Sequence, residues 1–373
     1  YRNETFVNGL GQQTTLHSHR RQAAQQAFYK AVATARTLRK HGDRAVRFPY
    51  KGKRFRTTIW KNTGIEKEGG VLHLKRARGV EPVVVRLPDN LKDMVGEKFK
   101  EARLVYNQQK RRYDWHLVID KGLEPSLPPG DKVIALDLGE IHPVVATDLS
   151  QAVIFSVREL RALYPYRNKQ VASIQRARSR LKKQSRKWWR LERRKRKLLV
   201  FVERKSRDIL HKISRAVVEW AVEREVGTIA IGDVRDVAKG KRLCRKSQQK
   251  ISQWPHGKLR RYIQYKAEAA GIAVELVNEA YSTRSCPNCG HQKKRSGRQF
   301  YCAQCGLVSH RDVVGATNIL SIYDFGHVSG YRPATDIKVS YPFWVMRSSP
   351  GHGASSLAWF AKKPTSFSGG SVT

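Results

Sequence analysis

Acidic residues are scarce in this chain: 31 Asp and Glu stand against 73 Lys and Arg over 373 residues, a formal net charge of +42. Such an excess repels itself unless a polyanion neutralises it. A long nucleic acid is the polyanion that fits, although a structural RNA-packing protein would share the composition. Long apolar runs are missing too. None approaches the ~18 residues of a membrane span, and no secretory signal pattern is present. Cysteine is rare at 5, an odd number. That usage excludes a disulfide scaffold and suits a reducing compartment: cytoplasm and nucleoid, or the nucleus in a eukaryote. The chain opens on Tyr1 rather than methionine, so its start is treated as cropped.

Four of those cysteines are arranged for a metal. Cys286-Pro287-Asn288-Cys289-Gly290 and Cys302-Ala303-Gln304-Cys305-Gly306 are two CxxC knuckles with twelve residues between them. Such a pair can hold one tetrahedral zinc ion. Cys244 stands apart in a basic stretch and is read as an incidental thiol. Seven positions after Cys305, Asp312 opens a helix of small residues running to Leu320. A zinc ribbon set directly before a carboxylate points to metal-dependent nucleic-acid chemistry.

The rest of the chain divides by pattern. Residues 1–44 form a helical segment, with Ala23, Ala24, Phe28, Ala31, Val32 and Ala35 near helical spacing over 19–41. Residues 45–130 read as short alternating strands (Arg47–Trp60, Gly70–Lys75, Pro82–Leu87, Ala102–Asp120) broken by Gly and Pro turns. That suits a small β-barrel closed by a proline-rich linker, Gly122–Asp131. A second domain opens at Val133, with strands at Val133–Gly139, Gly227–Val234 and Val274–Val277. Helices are expected at about Arg207–Glu225 and Gly257–Ala270, and a basic loop at Lys239–Lys250. This order predicts a mixed α/β sheet over 131–279, followed by the ribbon (280–310) and the last helix (311–325). Residues 158–207 carry 20 basic and 3 acidic side chains at helix-compatible spacing and are read as a nucleic-acid contact. Trp188-Trp189 within them reads as helix packing. The tail, 326–373, is rich in Gly, Ser, Pro and aromatics, and is read as flexible or ordered only against RNA.

Two-metal phosphodiester hydrolysis needs rigidly held acids that bridge ions ~3.5–4 Å apart. Asp137 fits, at the end of an apolar strand, and Asp312 fits, in the first turn of a helix. Glu140 and Asp148 lie near the first motif but read as solvated. A third acid is required.

Here the motifs carry a resemblance. Leu136-Asp137-Leu138-Gly139 with Pro143 looks like a first RuvC motif. The CPNCG…CAQCG ribbon followed by Arg311-Asp312 and Ala316-Thr317-Asn318-Ile319 looks like the third. With Trp254-Pro255-His256-Gly257-Lys258-Leu259 and Tyr265-Lys266-Ala267, the chain over about 100–322 resembles the TnpB family of transposon-encoded RNA-guided nucleases, relatives of compact type V CRISPR effectors and Fanzor proteins. The β-rich segment corresponds to that family's wedge domain in position and character only. The family's second motif places a glutamate where this chain has Gly232. Asp233 is adjacent, but alternation turns it to the other sheet face. A subset of the family carries the glutamate on the strand before the ribbon, where this chain has Glu279. The third ligand is therefore expected at Glu279, with Asp233 or a crippled site as the alternatives.

The resemblance implies an α/β fold: an RNase H-like RuvC domain with an inserted zinc ribbon, preceded by a helical segment and a wedge-like barrel. It implies an RNA-guided DNA endonuclease in which Asp137, Glu279 and Asp312 hold two Mg²⁺, with one structural Zn²⁺ on Cys286, Cys289, Cys302 and Cys305. Its partners would be a guide RNA from the transposon end, target duplex DNA and the displaced single strand. The competing expectation, from Gly232, is an RNA-guided DNA-binding repressor that does not cut.

Overall fold

The computed structural model describes residues 18–342 apart from 44, 50–54, 56, 93–97, 109, 121–125, 235–243, 279–283, 293–296 and 329. Glu279, most of the expected tail and part of the 239–250 loop therefore lie outside the described residues. The chain divides into two compact units, Tyr1–Glu124 and Pro125–Thr373.

In the first unit, helix α1 (Ser18–Lys40) packs on strand β1 (Thr58–Lys61). Two three-stranded antiparallel sheets come next. One has the order β1, β5 (Lys98–Asn107), β6 (Arg112–Asp120); the other joins β2 (Ile65–Glu68), β3 (Val71–Leu74) and β4 (Val83–Arg86). They share one core of Trp60, Leu72, Leu74, Leu87, Phe99 and Ala102. Trp60 satisfies its buried indole by donating to the Lys75 carbonyl at 3.1 Å. The β-rich expectation holds, and among the described residues these strands pair as two three-stranded sheets around one core. The stretch read as continuous over 102–120 is a hairpin, turned near Arg111, whose φ is +52°.

The second unit is built on a six-stranded sheet. Its strands are β7 (Lys132–Asp137), β8 (Val144–Thr147), β9 (Gln151–Phe155), β10 (Val226–Gly232), β11 (Ala273–Val277) and β14 (Asp336–Ser340), in the order β11-β10-β7-β8-β9-β14. β7, β10 and β11 are parallel, while β8 runs antiparallel to both neighbours. A central first strand, an antiparallel second strand and a parallel far side make the arrangement RNase H-like. β14 comes from the segment expected to be flexible; it pairs in parallel with β9 and closes that edge.

Strand alternation gives the sheet two faces. Ile134 and Leu136 point to one, where helices α2 (Arg158–Ser179), α3 (Arg186–Val222) and α5 (His256–Ala269) bury Leu160, Ile209, Ile213, Leu259 and Ile263. Val133 and Ala135 point to the other, beneath helix α6 (Arg311–Phe325) with its Ile319 and Leu320. The sheet entry is tight: a Cβ on Gly227 would lie 2.2 Å from the Gly130 carbonyl.

The basic stretch forms a helical hairpin. α3 is a single helix of 37 residues, about 55 Å long at 1.5 Å per residue, not a new helix from Arg207. Ser185 caps it, accepting from the Trp188 amide. Its buried residues begin only at Val202, so the arginine-rich first half stands clear of the sheet core. Trp188 packs edge-on to Trp189 and beneath Arg178, the packing role expected of it. Residues expected as loop at 245–250 instead open helix α4 (Arg245–Gln253).

Candidate active site

The two CxxC segments fold as matched knuckles. The Gly290 amide donates to the Cys286 carbonyl at 2.9 Å, and the Gly306 amide to Cys302 at 2.8 Å. Both glycines have positive φ, 71° and 69°, which a side chain would strain. The pairs Cys286–Cys305 and Cys289–Cys302 each have sulfurs 3.6 Å apart. Tetrahedral zinc with bonds of ~2.3 Å sets sulfurs ~3.8 Å apart; these two pairs match that spacing, and all four sulfurs lie within 4.8 Å of one another. Phe300 and Val314 complete the small core under them. Cys244 is exposed and, among the described residues, bonds locally to Ser247.

The knuckles also fix the start of α6. Strands β12 (Gln299–Tyr301) and β13 (Val308–His310) pair and run directly into that helix. The Arg311 amide donates to the Arg298 carbonyl at 2.7 Å, and the Asn318 side chain reaches the Ser285 carbonyl at 2.8 Å. The first turn of α6, bearing Asp312, is thus held by the ribbon on one side and the sheet beneath. A carboxylate there also meets the favourable end of the helix dipole.

Asp137 ends β7 and, two residues after Ala135, shares the sheet face that α6 covers. Gly232 ends β10 beside it, since Ile231 pairs with Leu136. Asp233 goes the other way. Its amide donates to the Val277 carbonyl at 2.8 Å, and its carboxylate lies 3.8 Å from Arg260 on α5.

Two histidines not singled out as ligands stand around Asp312. His142 Nε2 is 3.9 Å from the Asp312 carboxylate, and its ring is 5.3 Å from that of His310. His310 caps α6, its Nδ1 accepting the Asp312 amide at 3.3 Å. Donor atoms of His142, His310 and Asp312 all lie within 4.8 Å of one another. Asp137 is not a member of that group. Burial lowers the pKa of both imidazoles, opposed by the Asp312 charge. Their sequence signal was position alone: His142 follows the Gly139 turn, whose amide donates to the His142 carbonyl at 3.1 Å, and His310 directly precedes Arg311-Asp312.

Glu140 and Asp148, expected to be solvated, are tied down. Glu140 pairs with Arg161 at 3.1 Å. Asp148 pairs with Arg224 at 3.3 Å and accepts the Gln151 amide at 2.7 Å, closing the β8–β9 turn. The Trp254–Leu259 motif is structural here. Trp254 is buried against Tyr164, and burial pushes the pKa of His256 down to about 4. Lys266 joins α5 to α3, donating to the His211 carbonyl at 2.6 Å and the Ser214 hydroxyl at 2.7 Å.

An RNase H-like sheet with a cysteine ribbon placed before a helix-borne aspartate defines the class of protein. Residues 105–238 match the OrfB_IS605 family, described as "Probable transposase", and residues 256–319 match the Cas12f1-like TNB domain. The TnpB-like protein MJ0751 of Methanocaldococcus jannaschii is 32% identical over 31% of this chain and 42% of its own length. The "Putative RNA-guided DNA endonuclease InsQ" of Escherichia coli K12 is 30% identical over 56% of this chain and 53% of its own. The CRISPR-associated endodeoxyribonuclease Cas12f1 of Sulfoacidibacillus thermotolerans is 33% identical over 29% of this chain and 25% of its own. Over these stretches the chain is similar to TnpB-like proteins, and it spans about half or less of the length of these relatives. Among the described residues, no helix is long and apolar enough to cross a membrane.

Proposed function

We propose that this chain is an RNA-guided DNA endonuclease that binds a transposon-derived guide RNA and cuts DNA beside a short flanking motif. The observation that supports the reading is that Asp137 ends the central strand on the sheet face covered by α6, the helix whose first turn bears Asp312. The names of InsQ and Cas12f1 support the chemistry. The formal charge of +42 and the arginine-rich hairpin support the partner: RNA would be gripped through its phosphates and A-form shape, leaving base pairing to read the target.

In this reading Asp137 and Asp312 hold divalent cations, and Glu279 supplies the carboxylate that Gly232 lacks. Val277, which packs under α6, is two residues before Glu279 in sequence. Two bound Mg²⁺ would activate water and neutralise the leaving oxygen. The protein's own part is to keep the acids rigid and the strand positioned, with the zinc-loaded ribbon as the brace for Asp312. Gly232 also motivates the second reading, a guide-dependent DNA-binding repressor without cleavage.

Incubating the protein and its co-purified RNA with a matched plasmid and Mg²⁺ tests the proposal. Linearisation that depends on the match supports it. Tight, match-dependent binding with no cut under any divalent ion establishes the repressor instead.

A further inference from the structure

The residues around Asp312 are not those of an all-oxygen site. We propose that His142, His310 and Asp312 form a mixed imidazole–carboxylate site for a divalent transition-metal ion, favouring nitrogen-accepting ions such as Mn²⁺ over Mg²⁺. The site's role in catalysis rests on the nuclease reading; its ability to bind the ion does not.

Hydrogen bonding fixes which nitrogens are unprotonated. Arg298 Nη1 lies 3.2 Å from His142 Nε2. Arginine has only donors to offer, so Nε2 must be the unprotonated nitrogen of a neutral ring. The proton is then on Nδ1, which is buried without a partner among the described residues. On His310, Nδ1 accepts the Asp312 amide, so it too carries a lone pair. One nitrogen from each imidazole and a carboxylate oxygen gather within 4.8 Å of one another. A cation could bridge the three groups in place of the donors that now occupy the two imidazole nitrogens. Arg298 supplies positive charge from the side, in contact with His142 and acting on His310 as well.

The spacing suits a small ion. Metal–nitrogen and metal–oxygen bonds of ~2.0–2.2 Å put neighbouring donors about 3 Å apart. The His142–Asp312 separation is 3.9 Å, so side-chain rotation of under an ångström closes it. The amide bond to His310, at 3.3 Å, is long for its type and costs little to give up. The chemistry then sets the preference. Mg²⁺ demands near-ideal octahedral geometry and keeps its waters, whereas imidazole suits Fe, Ni, Cu and Zn, two histidines with one carboxylate is a known Fe(II) donor set, and Mn²⁺ is the weakest-binding of the transition ions.

The test uses full-length protein with zinc already in the ribbon, free of nucleic acid. Mn²⁺ is titrated in and the unbound ion is followed by electron paramagnetic resonance. One Mn²⁺ per chain is expected at this site, retained against a tenfold excess of Mg²⁺. His142→Ala and His310→Ala should each weaken binding about tenfold or more, the scale on which even supporting residues of metal sites act, with zinc content and melting temperature unchanged. Should an alanine variant unfold, His310→Asp serves: an added oxygen ligand should lower the Mn²⁺ to Mg²⁺ preference while keeping a metal bound. Arg298→Gln should leave Mn²⁺ bound at least as tightly. The proposal fails if Mn²⁺ binds equally without both imidazoles, or if equimolar Mg²⁺ displaces it. A protein that binds Mn²⁺ as described yet cuts no DNA would uphold this site and overturn the nuclease reading.

Discussion

Asp233 and Arg260 face each other across 3.8 Å on the helical-hairpin side of the sheet, opposite the face that carries Asp137. The acid adjacent in sequence to the missing glutamate is therefore engaged elsewhere. Asp233→Asn is expected to change cleavage by no more than a few-fold. Glu279→Gln, which keeps shape and removes charge, should slow it by ~10²-fold or more while guide-dependent binding persists, as loss of transition-state electrostatics does. Single-turnover cleavage beside a filter-binding measurement separates the two variants; an essential Asp233 with a dispensable Glu279 reverses the assignment.

Zinc should report on the ribbon's bracing role. Cys302→Ser removes one of four thiolates, and such sites draw their folding energy from the metal. The variant should lose its zinc, measured by elemental analysis, from about one ion per chain to near none by four-ligand stoichiometry. Cleavage should fall with it, because the Arg311–Arg298 and Asn318–Ser285 bonds that seat α6 belong to the ribbon. Full activity in a zinc-free protein contradicts this link.

Lys266 is a structural bolt rather than a nucleic-acid contact. Its ammonium satisfies the His211 carbonyl and the Ser214 hydroxyl, and losing such half-buried bonds costs ~1–3 kcal/mol. Lys266→Met should lower the urea midpoint accordingly, with little change in the salt dependence of RNA binding. A shallower salt slope at unchanged stability would assign it to phosphate instead.

His256 gives the fold a pH dependence of known sign. Burial lowers its pKa from 6.5 to about 4. Between those values the unfolded chain binds a proton that the folded chain refuses, so stability is complete above about pH 6.5 and declines as pH falls toward 4. At ~1.4 kcal/mol per unit the loss is at most about 3.5 kcal/mol. His256→Gln should flatten this part of the stability profile; an unchanged slope between pH 7 and 4.5 would assign it to other groups.

Much of this was legible in the sequence because the informative residues repeat with a period or at a fixed spacing. The β7, β10 and β11 strands are apolar runs with clear ends, and two CxxC pairs have few uses besides zinc. The β8–β9 hairpin was missed because both strands are short and buried on each face, leaving no alternation to detect. β14 escaped because its Asp-Ile-Lys-Val-Ser pattern is one edge strand in a segment whose composition reads as disordered. The His142–His310 pairing was invisible for a different reason. The residues are 168 positions apart and meet only because the ribbon returns the chain to the end of β7.

Asp137 and Asp312 are, in this reading, the metal-holding acids of a nuclease directed by RNA, and every other role assigned to the site depends on them. The most direct measurement is cleavage and binding of the same matched duplex by the RNA-loaded protein and its Asp137→Asn and Asp312→Asn variants. Match-dependent cutting by the parent is predicted, with a loss of ~10²-fold or more in each variant and unchanged affinity for the target. Cutting that survives both substitutions, or affinity that disappears together with activity, would contradict it.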